Sequence, residues 1–277
     1  MFILYPVEGL ANRMRAIDSA VRYCRDCHIC LSVRWWRDPV LLNALWGDLF
    51  QPQKGFREAG KSYLRLQFLF KLKRHSRLFR LFLRTLEKLH ILRIFGPDDW
   101  AELRAMTATR GKKRYWVTIA QSFSVFYRPE GTDFLRELFV PSSTLRLRID
   151  EETARFNDAT YGVHIRRTDN KVAIQESPLE LFREKINTLL LEQPDARFYV
   201  CSDDASVKAE LLKAFGPEVI LLPDGALNRN SKEGVQQAIV ELFSLAATKR
   251  IIGSYFSSFS ETAAELGGIP IEYTVRK

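Results

Sequence analysis

Cysteine is scarce in this chain, and no run of about 18 uninterrupted apolar residues occurs, so no helix is expected to cross a membrane. There is no low-complexity tract, no internal repeat and no G-x-x-x-x-G-K-[ST], which excludes a P-loop protein. The opening Met1-Phe2-Ile3-Leu4-Tyr5-Pro6 lacks the charged leader and apolar core of a signal peptide and reads as a first strand. Of the four cysteines, three form Cys24-x-x-Cys27-x-x-Cys30 around His28, a spacing used by zinc and iron–sulfur sites. The apolar pattern of 12–26 (Met14, Ile17, Val21, Cys24) is helical, however, and 28–36 reads as the next strand. The three thiols therefore straddle a helix end and a strand, with Cys201 far away, and no metal is expected. Thiols without a disulfide framework point to a reducing compartment, and the chain is expected in the cytoplasm.

Acids are missing from one region in particular. Between Lys61 and Phe95 stand ten Lys/Arg (61, 65, 71, 73, 74, 77, 80, 84, 88, 93) and a single acid, Glu87. That segment carries +9, the net charge of the whole chain, so the remaining residues sum to zero. It is also rich in Leu and Phe at spacings of three and four, which predicts a basic amphipathic helical region. Such a region can lie in the headgroup layer of an anionic membrane or steer a polyanionic acceptor. It can equally bury its apolar side in its own domain and merely solvate its cations. Nucleic acid is not expected, because no recognition motif accompanies the charge.

The 277 residues are enough for two domains of ordinary size. The first forty read strand, loop, helix, strand; 40–95 read as helical; 96–145 look irregular, with a strand near 114–120 and a short helix near 133–139. After a helix near 148–157, strands at 160–166, 197–201, 218–222 and 249–253 alternate with helices at 178–192, 204–214, 233–247 and 259–267. A last strand follows at 270–273. Such alternation implies a parallel sheet with helices on both faces. The expected division is an N-terminal lobe, 1–145, with 61–95 as a basic insert, and a C-terminal lobe, 146–277.

Ligands on parallel sheets bind beyond the carboxyl ends of the strands. Three polar clusters fall there: His164-Ile165-Arg166-Arg167-Thr168-Asp169, Ser202-Asp203-Asp204, and Gly253-Ser254-Tyr255-Phe256-Ser257-Ser258-Phe259-Ser260. Neighbouring strand residues point to opposite faces, so only one of Arg166 and Arg167 can face a given site. A guanidinium binds phosphate through a planar fork of donors. Ser257 and Ser258 precede a helix whose first N–H groups can cradle a phosphate. Together these turns read as a site for a nucleoside diphosphate.

These residues resemble the superfamily of α1,2-, α1,6- and protein O-fucosyltransferases. His164-Ile165-Arg166-Arg167-Thr168-Asp169 is similar to its H-x-R-R-x-D motif, and Phe198 to Asp204 to its strand ending in S/T-D-D. Ala238 to Ser260 resembles a third motif, and Glu8-Gly9-Leu10-Ala11-Asn12-Arg13 a loop after the first strand. The resemblance covers the first 25 residues and about 160–268. It implies a GT-B-like fold, with two Rossmann-like lobes facing a cleft, and GDP-fucose as donor substrate. It also implies transfer of fucose to a glycan or lipid-linked oligosaccharide hydroxyl, with inversion and without metal or other cofactor.

By that resemblance Arg167 would bind and stabilise the departing diphosphate, and His164 would contact the ribose or base side. Asp203 or Asp204 would accept from the guanine amino group or the ribose. Ser257, Ser258 and Phe259 would form the phosphate turn, while Gly9, Asn12 and Arg13 would close on the donor. Arg166 and Asp169 complete the donor set. Glu241 stands where the family often has an aspartate that orients the arginine. No D-x-D flanked by apolar residues, as metal-dependent glycosyltransferases use, is present in convincing form. Glu8 is the candidate general base for the acceptor hydroxyl. Two alternatives stay open: a different nucleotide sugar, or a non-catalytic membrane-surface or polyanion-binding protein carried by 61–95.

Overall fold

The computed structural model describes residues 1–111, 114–134, 136–168, 171–225, 228 and 230–276. The chain divides into two compact units, Met1–Val140 and Pro141–Lys277. Each is an α/β lobe with its own parallel five-stranded sheet flanked by helices.

The N-terminal lobe runs β1 (Phe2–Pro6), α1 (Leu10–Asp26), β2 (Leu31–Trp35), α2 (Trp46–Leu49), β3 (Phe56–Glu58), α3 (Lys61–His75), α4 (Arg77–Lys88), β4 (Leu92–Phe95), α5 (Trp100–Ala108) and β5 (Val117–Ser122). The strand order is β3-β2-β1-β5-β4. Strand β1 is central and nearly continuous in apolar residues because a parallel sheet is covered on both faces. Helix α1 buries Leu10, Met14, Ile17, Val21 and Cys24, one stripe of three- and four-residue spacing. It ends before His28, which takes a positive φ of 52°. The thiols Cys24 and Cys27 are buried at this helix end and Cys30 is exposed before β2. Among the described residues no group of three or more His, Cys, Asp or Glu could hold a metal ion.

Two regional expectations are corrected here. Residues 40–95 are not wholly helical, since they contain the edge strands β3 and β4, and 96–145 contains α5 as well as β5. The start of α5 was marked by Pro97-Asp98-Asp99, where the Asp99 carboxylate accepts from Gly96 N–H at 2.8 Å. The helical part of the basic segment is two helices, parted at Ser76, whose hydroxyl accepts from Phe79 N–H at 3.2 Å and caps α4, and the segment ends in β4.

The C-terminal lobe runs α6 (Ser143–Thr153), β6 (Thr160–Ile165), α7 (Lys171–Glu176), α8 (Leu179–Glu192), β7 (Arg197–Ser202), α9 (Ala205–Phe215), β8 (Ile220–Leu221), α10 (Lys232–Ala246), β9 (Ile251–Ser254), α11 (Ser258–Gly267) and β10 (Ile271–Thr274). The strand order is β10-β9-β6-β7-β8. Tyr161, Val163, Ile165, Phe198 and Val200 pack on Phe182, Ile186, Val207 and Leu211 on one face. His164 and Cys201 alternate to the other face, where α10 lies between α6 and α11. The lobe begins with α6 at Ser143, so residues 141–145, expected in the first lobe, belong to this unit.

Candidate functional site

From β6 the chain adds β7 and β8 on one side and then crosses back to place β9 on the other. The carboxyl ends of β6 and β9 thus flank a topological switch point, where open α/β sheets bind ligands. The turns after β6, β7 and β9 meet at this edge.

Asp203 organises the first of them. Its carboxylate accepts from Arg167 N–H at 2.7 Å, from Thr168 N–H at 3.3 Å and from the Thr168 hydroxyl at 2.7 Å. It also pairs with the Arg166 guanidinium at 3.1 Å. Arg166 N–H in turn donates to the fully buried Ser254 hydroxyl at 3.0 Å, tying this turn to the end of β9. The neighbouring Asp204 has a local task, since it caps α9 by accepting from Ser206 N–H at 2.8 Å and the Ser206 hydroxyl at 2.6 Å. Those bonds hold its carboxyl below the usual range.

The two arginines diverge just beyond the end of β6. Arg166 lies on the Asp203 side, whereas Arg167 donates to the carbonyls of Ser177 at 2.9 Å and Ile174 at 3.5 Å. Burial pulls the Arg167 pKa down from its ordinary value, opposed by Glu180, Asp203 and Asp204. Ser177 is fully buried and its hydroxyl accepts from Tyr255 N–H at 2.9 Å, so one serine links the Arg167 side chain to the β9–α11 turn. Asp169 lies outside the described residues.

His164 is 5% exposed. Its Nδ1 sits 2.7 Å from Ser260 Oγ and 3.4 Å from Ser257 Oγ, and its ring stacks on Phe259 at 4.8 Å. Burial, reinforced by Arg166 and opposed by Asp203, pushes its pKa down to about 4, so the imidazole is neutral near pH 7. Positive charge at this edge therefore comes from the arginines. His164 clasps β6 to the first turn of α11, and the clasp depends on Gly253, its register partner on β9. A Cβ there would stand 3.0 Å from Ser260 Cβ and Oγ.

The amino end of α11 differs from its neighbours. Asp204 caps α9 and Ser231 caps α10, but Ser257 makes no side-chain cap to α11. Its first N–H groups point out of a ten-residue helix beside the arginine turn, the arrangement that attracts an anion. Phe256 enters this turn with a positive φ of 57°.

Glu241 lies elsewhere in the lobe. On α10 it accepts from Gln237 Nε2 at 3.3 Å, with Cys201 and Lys208 nearby. Burial pushes its pKa up to about 7, so its carboxyl holds a proton far more readily in the fold than in water. It therefore does not take the arginine-orienting place: its bond is to Gln237, and the Arg167 guanidinium meets the carbonyls of Ile174 and Ser177.

In the N-terminal lobe, Glu8 is exposed with a positive φ of 67°, Gly9 is the uncapped N-cap of α1, and Asn12 is half-buried. Arg13 is fully buried: Nε donates to Glu8 O at 2.7 Å, Nη1 to Trp36 O, and the guanidinium lies 5.0 Å over Trp35. Burial lowers its pKa to about 10, against the pull of Asp38. Within this lobe Arg13 positions the Glu8 turn. Sequence reasoning gave no role to Ser177, Ser254 or Ser260; the two last stood inside the quoted motif, and Ser177 was signalled only by the following Pro178 at a helix start.

No protein-family model and no curated protein sequence matches the chain. Solved structures do. Fucosyltransferase NodZ from Bradyrhizobium superposes with a TM-score of 0.59 at 15% identity, covering 95% of this chain and 91% of that one. A variant of Arabidopsis thaliana FUT1 in complex with GDP gives 0.65 at 15% identity, covering 100% and 71%. POFUT1 in complex with GDP-fucose gives 0.56 at 10% identity, covering 99% and 98%. The likeness is one of fold: two GT-B-like α/β lobes, the architecture of these fucosyltransferases.

Proposed function

We propose that the chain is a glycosyltransferase that moves fucose from GDP-fucose to a hydroxyl of a glycan or lipid-linked oligosaccharide, with inversion. One observation carries the reading. At the β6/β9 switch point the Asp203-locked Arg166–Arg167 turn meets the uncapped amino end of α11. GDP leaves as an anion, and preorganised cations and N–H groups aimed at developing charge are the largest single source of rate in such reactions. Arg167, held by its bonds to the Ile174 and Ser177 carbonyls, supplies its charge and remaining N–H donors to the diphosphate, and the amides of Ser258 and Phe259 supply the cradle. His164 keeps that cradle in place as a neutral clasp. Asp203 acts by fixing the turn rather than by touching the base. The choice of GDP and fucose is supported by the fold shared with proteins solved with GDP and GDP-fucose. Glu8, held on its turn by Arg13, is the proposed base.

Calorimetric titration of GDP, GDP-fucose, UDP and CMP into the full chain and into Arg167→Ala tests the proposal. Selective binding of the GDP ligands is expected, weakened about 30-fold or more by the loss of a charge-assisted contact. Tight binding of UDP or CMP instead would overturn the donor assignment, and no binding at all would overturn the site.

A further inference from the structure

We infer that the outer face of α4, with the adjoining face of α3, docks on an anionic lipid surface. Helix α4 has three stripes where an ordinary surface helix has two. Phe79, Leu83 and Leu86 turn inward, and only Leu83 is fully buried. Leu78, Phe82 and Leu89 form a second apolar stripe, with Leu81 at its margin, and these four are 80%, 56%, 63% and 61% exposed in that order. Arg77, Arg80, Arg84 and Lys88 form a third, cationic stripe at spacings of three and four, and all four are exposed. Helix α3 adds exposed Leu64 and Phe68, four residues apart, among exposed Lys61, Arg65, Lys71 and Arg74. Beyond α4, Trp116, 82% exposed, donates its backbone N–H to His90 O at 3.0 Å and so stands at the same end of the hairpin.

The charge chooses the occupant. Among the described residues only Lys73 and Arg93 of the segment's cations are ion-paired, Lys73 to Asp99 and Arg93 to Glu87 and Glu102. The other cations face outward beside leucines and phenylalanines that a phosphate backbone would leave in water. A headgroup layer answers both at once: apolar side chains enter the acyl boundary while the longer cations reach the lipid phosphates. No helix among the described residues is long and apolar enough to cross a membrane, so the contact would be a peripheral one. The inference does not rest on the transferase reading.

Flotation of the full chain with phosphatidylcholine vesicles, with and without about one-third phosphatidylglycerol, tests it. Binding to the anionic vesicles is expected to exceed binding to the neutral ones by about tenfold or more. Leu78→Ser with Phe82→Ser should cut it about tenfold with little change in thermal midpoint, because both side chains are more than half exposed. Leu64→Ser with Phe68→Ser should weaken it in the same sense. Changing Arg77, Arg80, Arg84 and Lys88 to Gln should cost about fivefold per charge. Equal binding to neutral vesicles, no effect of either apolar pair, or binding to heparin or an acidic peptide without any to vesicles would each overturn the inference.

Discussion

The strand-end edge of the C-terminal lobe and the α3–α4 hairpin of the N-terminal lobe are both rich in arginine, and they use it in opposite ways. At the edge every arginine is engaged: Arg166 with Asp203, Arg167 with the carbonyls of Ile174 and Ser177. In the hairpin most cations face outward with no acid within ion-pair distance among the described residues. A fixed arginine loses little freedom when a ligand arrives and can aim its donors, which suits recognition of one anion in one pose. A solvated arginine on a flexible stem suits a diffuse surface, where summed charge matters more than the position of any one group. The same residue type thus serves geometry in one region and field in the other.

The sharpest way to break this comparison is to remove the group that fixes the edge. Asp203→Ala removes the acceptor that the N–H groups of Arg167 and Thr168 share with the Arg166 guanidinium, in a half-buried setting. A loss of about 2 kcal/mol is expected in urea unfolding, with donor affinity falling in parallel. Asp204→Ala removes only a helix cap and should cost about 1 kcal/mol. Equal losses at the two positions would show that Asp203 is a second cap rather than the organiser of the turn.

Much of this edge was legible in the residues, for a physical reason. Strands β6, β7 and β9 are covered on both faces, so they read as apolar runs, and the polar clusters that follow them have to lie at strand ends. That the two adjacent arginines would not share one face was legible too; which of them takes which side was not. What stayed hidden was how the clusters engage one another, because Asp203, Ser177 and Ser260 meet their partners only through the crossovers. Burial was hidden as well. Nothing local distinguishes an exposed His164 from one pushed down to about 4, or a donor-facing Arg13 from a fully buried strut. In the N-terminal lobe β3 is three residues at a half-solvated edge, and β4 shares the apolar and basic composition of the helix before it, so neither breaks the pattern.

The C-terminal lobe can also be tested through its response to pH, with one group at the edge and one on α10. The His164 pKa is about 4 in the folded lobe against an ordinary 6.5, so acidification protonates the unfolded chain first. Its contribution is complete above pH 6.5 and is lost as pH falls toward 4. Glu241 runs the other way: at about 7 against 4.5, its contribution is complete below pH 4.5 and is lost as pH rises through 7. Between pH 4.5 and 6.5 the two slopes oppose each other, and the wild type should change little on their account. Glu241→Gln removes one slope. Relative to wild type, its stability should climb by about 3 kcal/mol from pH 4.5 to 7. Parallel curves for the two proteins would mean that Glu241 ionises in the fold as readily as in water.

The smallest effect is the most telling about the hairpin. Arg77 and Arg84 are exposed, and neither has an ion pair among the described residues. Replacing both with Gln keeps the stems that cover apolar surface and removes only charge. Stability should stay within about 0.5 kcal/mol of wild type, as for surface positions that touch no network. If self-repulsion in a +9 segment outweighs solvation, the variant will be slightly more stable, not less, and the gain will shrink in high salt. A loss above about 1 kcal/mol would mean that these arginines hold the fold as Arg166 does. The contrast between fixed and solvated arginine would then fail at the place where it is drawn most strongly.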